Sequence, residues 1–310
     1  MKKVNLPGID VKVSRMCLGT VNFGVTLDQD GICSRLEEFH SMGGNFVDTA
    51  HVYSNWLPGP ASRSEKMLGK AIKAYDRNRW IISTKGAHFD FAEPDISRVT
   101  PENIIHDLTE SLDHLDTDYI DLYFLHRDNP EVPVSELIDC LDEQVQQGRI
   151  RAIGCSNWTL SRVKEAAAYS ARTGKSRFTV NQLMWSLAKI NRSGIPSDYV
   201  LNDEETMLFS EESKMGIMAY TSLAKGYFTK RWRGDKLNQD LLLTYQNEEN
   251  DSIFEKIRSF SNTAEVTRYC LQFFEKAPVP TVPIVTCNTR EQLQECMNAF
   301  CTNDSECSPA

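Results

Sequence analysis

Short, mostly apolar runs alternate along this chain with longer stretches in which apolar residues return every three or four positions. Eight of the short runs predict strands, at residues 16–19, 45–48, 80–84, 120–125, 152–155, 179–181, 216–220 and 282–285. Their hydrophobicity is continuous rather than alternating, which suits strands covered on both faces, as in a parallel sheet. The periodic stretches predict helices over 28–42, 64–75, 134–147, 204–214 and 262–275. Three more have legible starts. Thr100 precedes a first-turn Pro101 and the series Ile104, Ile105, Leu108, Leu112, Leu115. Thr159 precedes a helix through Val163 to Tyr169, and Thr289-Arg290-Glu291-Gln292 reads as a capping box before Leu293 and Met297.

Eight strands, each followed by a helix, is the count of a (β/α)8 TIM barrel. A doubly wound sheet is the alternative, but Gly19-Thr20-Val21-Asn22-Phe23-Gly24 lacks the GxGxxG spacing expected after its first strand. Residues 4–7 and 11–14 flank Gly8-Ile9-Asp10 and read as an N-terminal β-hairpin that plugs the barrel floor. Two long connections, 187–203 and 224–261, read as structure-poor. Both follow strands, so they rise over the C-terminal face, where barrel active sites form.

The 310 residues, 41% hydrophobic and 25% charged, are read as one barrel domain over 1–310, with 301–310 a flexible tail. A net charge of -9 argues against a nucleic-acid binder but leaves room for a local basic pocket around a phosphorylated cofactor. No apolar run approaches the roughly 18–20 residues of a membrane helix, and the basic start lacks the apolar stretch of a secretory signal. The nine cysteines include no CxxC pair. Cys296, Cys301 and Cys307 cluster without a histidine, so no metal site is read there, and the thiols are expected to be reduced, mostly buried and cytoplasmic. A homo-oligomer is compatible with the sequence but leaves no mark in it.

The informative residues stand at the C-terminal ends of the expected strands, where they converge above the barrel axis. They are Asp48, Lys85, His126, Ser156-Asn157, Gln182 and Tyr220, with Tyr53 five residues beyond Asp48. Singly, each has a bland explanation: a cap for Asp48, a solvated strand end for Lys85, a satisfied core histidine for His126, packing on Trp56 for Tyr53. Their joint occurrence does not.

Asp48-Thr49-Ala50 with Tyr53, then Ser83-Thr84-Lys85, then Leu125-His126, resemble the catalytic tetrad of the aldo-keto reductases. Gly19-Thr20, Phe23-Gly24, the run Asp118 to Leu122, the run Gly148 to Asn157, Asn181-Gln182 and Tyr220 to Gly226 extend the resemblance to about Phe300. It points to the branch that holds bacterial reductases and potassium-channel β subunits. The resemblance implies NADPH-dependent reduction of a carbonyl substrate, or oxidation of the alcohol. Tyr53 would be the general acid, its phenol lowered from a pKa of about 10 by Lys85, which Asp48 holds in place. His126 would orient the substrate oxygen as a neutral imidazole.

Cofactor contacts carry over in the same way. Ser156, Asn157 and Gln182 would meet the carboxamide, and Tyr220 would stack on the nicotinamide. Asp48 and Gly19, Thr20 and Val21 would lie beside it, and Thr221, Ser222, Leu223 and Gly226 along the pyrophosphate. Lys230, Arg231 and Arg233 are basic candidates over the phosphates. At the adenine end Asn288, Gln292 and Glu295 replace the family's usual pattern. With no arginine there, NADPH is expected to be favoured only modestly over NADH. Phe23, Tyr53, Trp56, His88, His126 and Arg127, with Phe89, Asp128 and Trp185, are expected around the substrate. The alternative for Arg127 and Asp128 is a rim pair with each other. This mixture suits a sugar or keto-sugar as well as an aromatic aldehyde. The other functional class is a redox-sensing, cofactor-binding regulatory subunit that turns over slowly. His126-Arg127-Asp128 also matches a kinase catalytic loop, but neither a Gly-rich loop nor a later Asp-Phe-Gly accompanies it.

Overall fold

The computed structural model describes residues 1–301. A short antiparallel hairpin, β1 (Lys3–Val4) and β2 (Val13–Ser14), precedes the main sheet. Eight parallel strands follow: β3 (Cys17–Gly19), β4 (Phe46–Asp48), β5 (Ile81–Gly86), β6 (Ile120–Leu125), β7 (Ile150–Ser156), β8 (Phe178–Met184), β9 (Gly216–Tyr220) and β10 (Thr281–Val285). They close in sequence order, with β10 pairing to β3, so the fold is the expected (β/α)8 barrel.

Inside the barrel, Cys17, Phe46, Leu122, Phe124, Val180, Met218 and Val282 form one buried cluster, which Leu6 and Val13 of the hairpin seal from below. Gly8 makes that seal possible. At φ +83°, with Thr179 and Ala152 side-chain atoms 2.8–2.9 Å from where its Cβ would sit, the position admits only glycine.

The expected helices form the outer layer: α1 (Gln29–Ser41), α2 (Arg63–Ile72), α3 (Pro101–Leu115), α4 (Val134–Gln146), α5 (Leu160–Thr173) and α6 (Glu204–Glu212). The side chains of Asp28, Thr100, Thr159 and Asp203 accept first-turn N–H groups of α1, α3, α5 and α6, contacts worth about 1 kcal/mol each.

The connection over 224–261 departs from expectation. It holds three further helices, α7 (Tyr227–Arg233), α8 (Gln239–Tyr245) and α9 (Glu248–Ile257), before α10 (Thr263–Gln272) and α11 (Arg290–Asn298). Helices of 7 to 10 residues are too short to show a clear apolar period, though capping Asn238 and Asn247 mark two of their starts. They bury Tyr227, Phe228, Leu241, Tyr245 and Ile257 in a separate cluster with Met184 and Ala188. The 187–203 connection is irregular apart from a single turn at Arg192–Gly194, as expected. No helix among the described residues is long and apolar enough to cross a membrane. Nearly all of the expected tail, 302–310, lies outside the described residues.

Candidate active site

Parallel register brings the tetrad together. Asp48 ends β4 beside Ser83 of β5, Lys85 sits one residue from the end of β5 beside Phe124 of β6, and His126 follows β6 directly. Lys85 Nζ donates to Asp48 Oδ2 and to the Thr49 carbonyl, both at 2.6 Å, and to the Tyr53 hydroxyl at 3.2 Å. Asp48 Oδ1 accepts from Ser83 Oγ at 2.8 Å and from Gln182 Nε2 at 3.1 Å. Lys85 and Asp48 are each only 1% exposed, so Lys85 is no solvated strand end. The loop after β4 turns back at Ala50, whose carbonyl accepts the Tyr53 N–H. The Tyr53 ring stands edge-on to His126 at 6.1 Å and to Trp56 at 6.4 Å between centroids.

Burial sets the protonation states. It raises the Tyr53 phenol above its ordinary value, and the charge of Lys85 recovers only part of that shift. The expected lowering of this phenol is therefore not what the structure shows. Burial, with His88, Arg127 and Lys85 nearby, drives His126 well below the usual imidazole range, so its ring is neutral. Its Nδ1 is buried with no partner among the described residues. His88, in ring contact with His126 at 4.7 Å, is lowered to about 4 by burial and Arg127.

Tyr53 and His126 face a cavity of about 1130 Å³. Gly19, Thr20, Val21, Asp48, Ser156, Asn157, Gln182, Tyr220, Thr221, Ser222, Leu223, Gly226, Lys230, Arg233, Asn288, Gln292 and Glu295 also line it. Trp56, His88, Phe89 and Arg127 line the end nearest Tyr53. Four expected residues, Phe23, Arg231, Asp128 and Trp185, do not. Phe23 is 1% exposed and packs into the outer core, its carbonyl taking the Ser54 hydroxyl. Arg231 pairs with Asp251 at 2.7 Å and lies over Phe254, because helical rotation puts Lys230 and Arg233, three residues apart, on the cavity side instead. Asp128 pairs with Arg162, Trp185 packs on Phe273 and Phe274, and Arg127 pairs with Asp198, so the Arg127–Asp128 rim pair does not form. Sequence reading missed Asp198, Tyr199, Phe91, Thr263 and Thr267 as lining residues. The Thr263–Thr267 spacing on α10 was the one available signal.

The donor set suits a dinucleotide. Asn288 Oδ1 accepts from Asn22 and Thr26, and Gln292 Oε1 accepts the Asn288 and Thr289 N–H groups, so both amides have only N–H donors left to offer. Glu295 takes the hydroxyl of Thr263 at 2.8 Å. Lys230 has no ion pair among the described residues and donates only to the Lys225 carbonyl. Of the cysteines, Cys17, Cys140, Cys155, Cys270, Cys287 and Cys296 are free and buried, and Cys33 is free and half-buried. Cys301, against expectation, is disulfide-bonded, and Cys307 lies outside the described residues.

Residues 15–306 match the profile of the Aldo/keto reductase family. The chain belongs to the aldo-keto reductases. Norsolorinic acid reductase B of Dothistroma septosporum is 28% identical over 236 residues, a match covering 72% of this chain but 56% of that relative. A probable voltage-gated potassium channel subunit beta of Arabidopsis thaliana is 26% identical over 317 residues, covering 96% of this chain and 91% of the relative. Among solved structures, the thermostable aldo-keto reductase Tm1743, in complex with the inhibitor epalrestat, superposes with a TM-score of 0.70 at 22% identity. That alignment covers 99% of this chain and 97% of the other, a likeness of fold. Within this aldo-keto reductase barrel the long cavity runs from Tyr53 to α11.

Proposed function

We propose that this chain reduces an aldehyde or ketone, sugars and keto-sugars among the candidates, to the alcohol with NADPH. The observation that carries the reading is the buried Asp48–Lys85–Tyr53 chain, its phenol at the wall of a cleft of about 1130 Å³ that is lined as far as Glu295 of α11. The cofactor supplies the hydride when bound. Tyr53 gives its proton to the carbonyl oxygen as that oxygen becomes an alcohol, and Lys85 holds the phenol and stabilises the phenolate left behind. Neutral His126 orients the oxygen. Ser156, Asn157 and Gln182 would hold the carboxamide and Tyr220 the ring. Gly19, Thr20 and Val21 would lie beside it, with Thr221, Ser222, Leu223, Gly226 and Lys230 along the phosphates.

The test follows nicotinamide absorbance with a panel of aldehydes, ketones and sugars. Turnover within about 1–10³ per second is expected. Far slower turnover with cofactor still bound would favour the regulatory reading, which the likeness to probable channel β subunits supports. The pH profile adds a sign. With its pKa raised, Tyr53 stays protonated through neutral pH, so reduction should be level to about pH 9 and fall only above about pH 10. Alcohol oxidation, which needs the phenolate, should rise over the same range. Reduction already falling near neutral pH would contradict Tyr53 as the acid.

Cofactor choice should rest on Lys230, the cavity-lining cation that has no ion pair among the described residues. Neutral amides at Asn288 and Gln292 limit NADPH preference to about tenfold, or about 1.4 kcal/mol. Lys230→Met should raise the dissociation constant for NADPH by about that factor. An equal rise for NADH would put Lys230 on the shared pyrophosphate rather than the 2′-phosphate. Asn288→Asp should reverse the preference by repelling the phosphate. Quenching of intrinsic fluorescence reads both. If neither variant moves any constant, the cofactor does not follow this cleft.

A further inference from the structure

Outside the tetrad lies a carboxylate that the proposed chemistry does not use. Asp107 of α3 is fully buried. Its Oδ2 accepts the backbone N–H of Ala87 at 2.8 Å and Arg98 Nη1 at 3.0 Å, and its Oδ1 accepts Arg98 Nη2 at 2.6 Å. His51 Nδ1 lies 3.8 Å from Oδ2, and His106 Nδ1 3.3 Å from Oδ1. Ala87 and Arg98 lead to one wall of the cleft, and His51 to another.

Ala87 follows the Lys85 strand directly and takes a left-handed φ of 58°, strained for a residue with a side chain, which turns the chain toward His88. Arg98 closes the far end of the same loop and also donates to the His88 carbonyl at 3.2 Å. The segment from 88 to 98 is thus pinned at both ends by one carboxylate, and it presents His88, Phe89 and Phe91 to the cleft. His51 belongs to the other loop, two residues before Tyr53. Its backbone N–H donates to the Lys85 carbonyl at 3.0 Å, and its Nε2 meets Glu110 Oε2 at 2.6 Å. Glu110, one turn after Asp107 on α3, thus holds one side of this imidazole by a hydrogen bond, while the Asp107 carboxylate faces its other side at 3.8 Å.

We infer that Asp107 is a positioning residue that sets the proton-donor loop and the substrate wall in register from a single buried carboxylate. Arg98 transmits this hold to the wall, and His51 transmits it to the loop of Tyr53. The inference rests on the carbonyl-reductase reading for its kinetic consequences. Burial alone would raise the Asp107 carboxyl, but Arg98, His51 and the Ala87 N–H together hold it below the ordinary value, so the charge persists at every working pH.

The two arms should separate in kinetics. Arg98→Met is expected to raise KM by about fivefold or more with kcat within about twofold, and Arg98→Lys to restore part of it. His51→Ala is expected to lower kcat by about tenfold with KM little changed. His51→Gln should recover most of that, since its amide can still donate to Glu110. Asp107→Asn should do both. A purely structural role would instead lower the melting temperature in all three with no such partition, and that outcome overturns the inference. Hydrogen exchange in the same proteins decides independently of any activity. Asp107→Asn should speed exchange in both 51–56 and 87–98, Arg98→Met only in 87–98, and His51→Ala only in 51–56. Were the wild-type protein inactive on every carbonyl, the functional reading would fail, while these exchange patterns would still support or refute the coupling.

Discussion

Tyr53→Phe should abolish carbonyl reduction while the dissociation constant for the cofactor stays within about twofold. The substitution removes one oxygen and keeps the ring, so the edge-on contacts with His126 and Trp56 survive and the cleft keeps its shape. Lys85 loses an acceptor but retains Asp48 and the Thr49 carbonyl, so the protein should fold normally. What goes is the proton donor, and general acids contribute about 10²–10⁴ in rate. Activity within about threefold of wild type would sink the proposed role of Tyr53.

Lys85→Met should damage activity and stability together. Among the described residues the ammonium is the only cation touching the phenol, and it neutralises a carboxylate that is equally buried. Methionine fills similar space but leaves Asp48 with only Ser83 and Gln182 as partners. Breaking a buried pair from one side costs about 3–5 kcal/mol, a drop that thermal unfolding would show clearly. Burial alone would lower the Lys85 pKa, yet Asp48 and Tyr53 outweigh it and raise it. A raised pKa in the folded state makes the pair's contribution fully present below about pH 10.5 and lost only as pH rises through the folded value. The deficit of the variant should thus be constant through neutral pH and narrow only in strong alkali. A variant that kept its melting temperature and its turnover would make Lys85 a bystander.

The strands were legible because burial on both faces keeps them mostly apolar, with few polar interruptions such as Asp121 in β6. The runs 120–125 and 216–220 match β6 and β9 residue for residue. At three strands the reading stopped just short of a site residue, before Lys85 in β5, Ser156 in β7 and Gln182 in β8. β8 continues through Gln182 to Met184, and the polar Gln182 that ends the apolar run is the residue that reaches Asp48. Placement of the tetrad at strand ends followed from topology, but the phenol's pKa did not. Its sign depends on how much water burial removes, and Tyr53 is flanked in sequence by polar and apolar residues alike. Arg231 and Phe23 failed for a common reason: in a run of cations or a loop aromatic, only the local backbone rotation decides which side chain faces the cleft. Asp107 was invisible, since its partners Arg98 and His51 come from two different loops and only the fold brings them to one carboxylate.

The helical segment over 224–261 is buried in a cluster apart from the barrel's two larger cores, which meets the barrel at Met184, Tyr220 and Leu223. The free energy holding that segment down is therefore largely separable from the free energy holding the barrel closed. Release of a ligand lying beneath it need not strain the strands at all. Its residence time becomes a property of a small cooperative unit, measurable as a dissociation rate that tracks hydrogen exchange in 227–257. Sequence drift in those short helices can then retune how long a ligand stays while the reacting groups at the opposite end of the cleft go on unchanged.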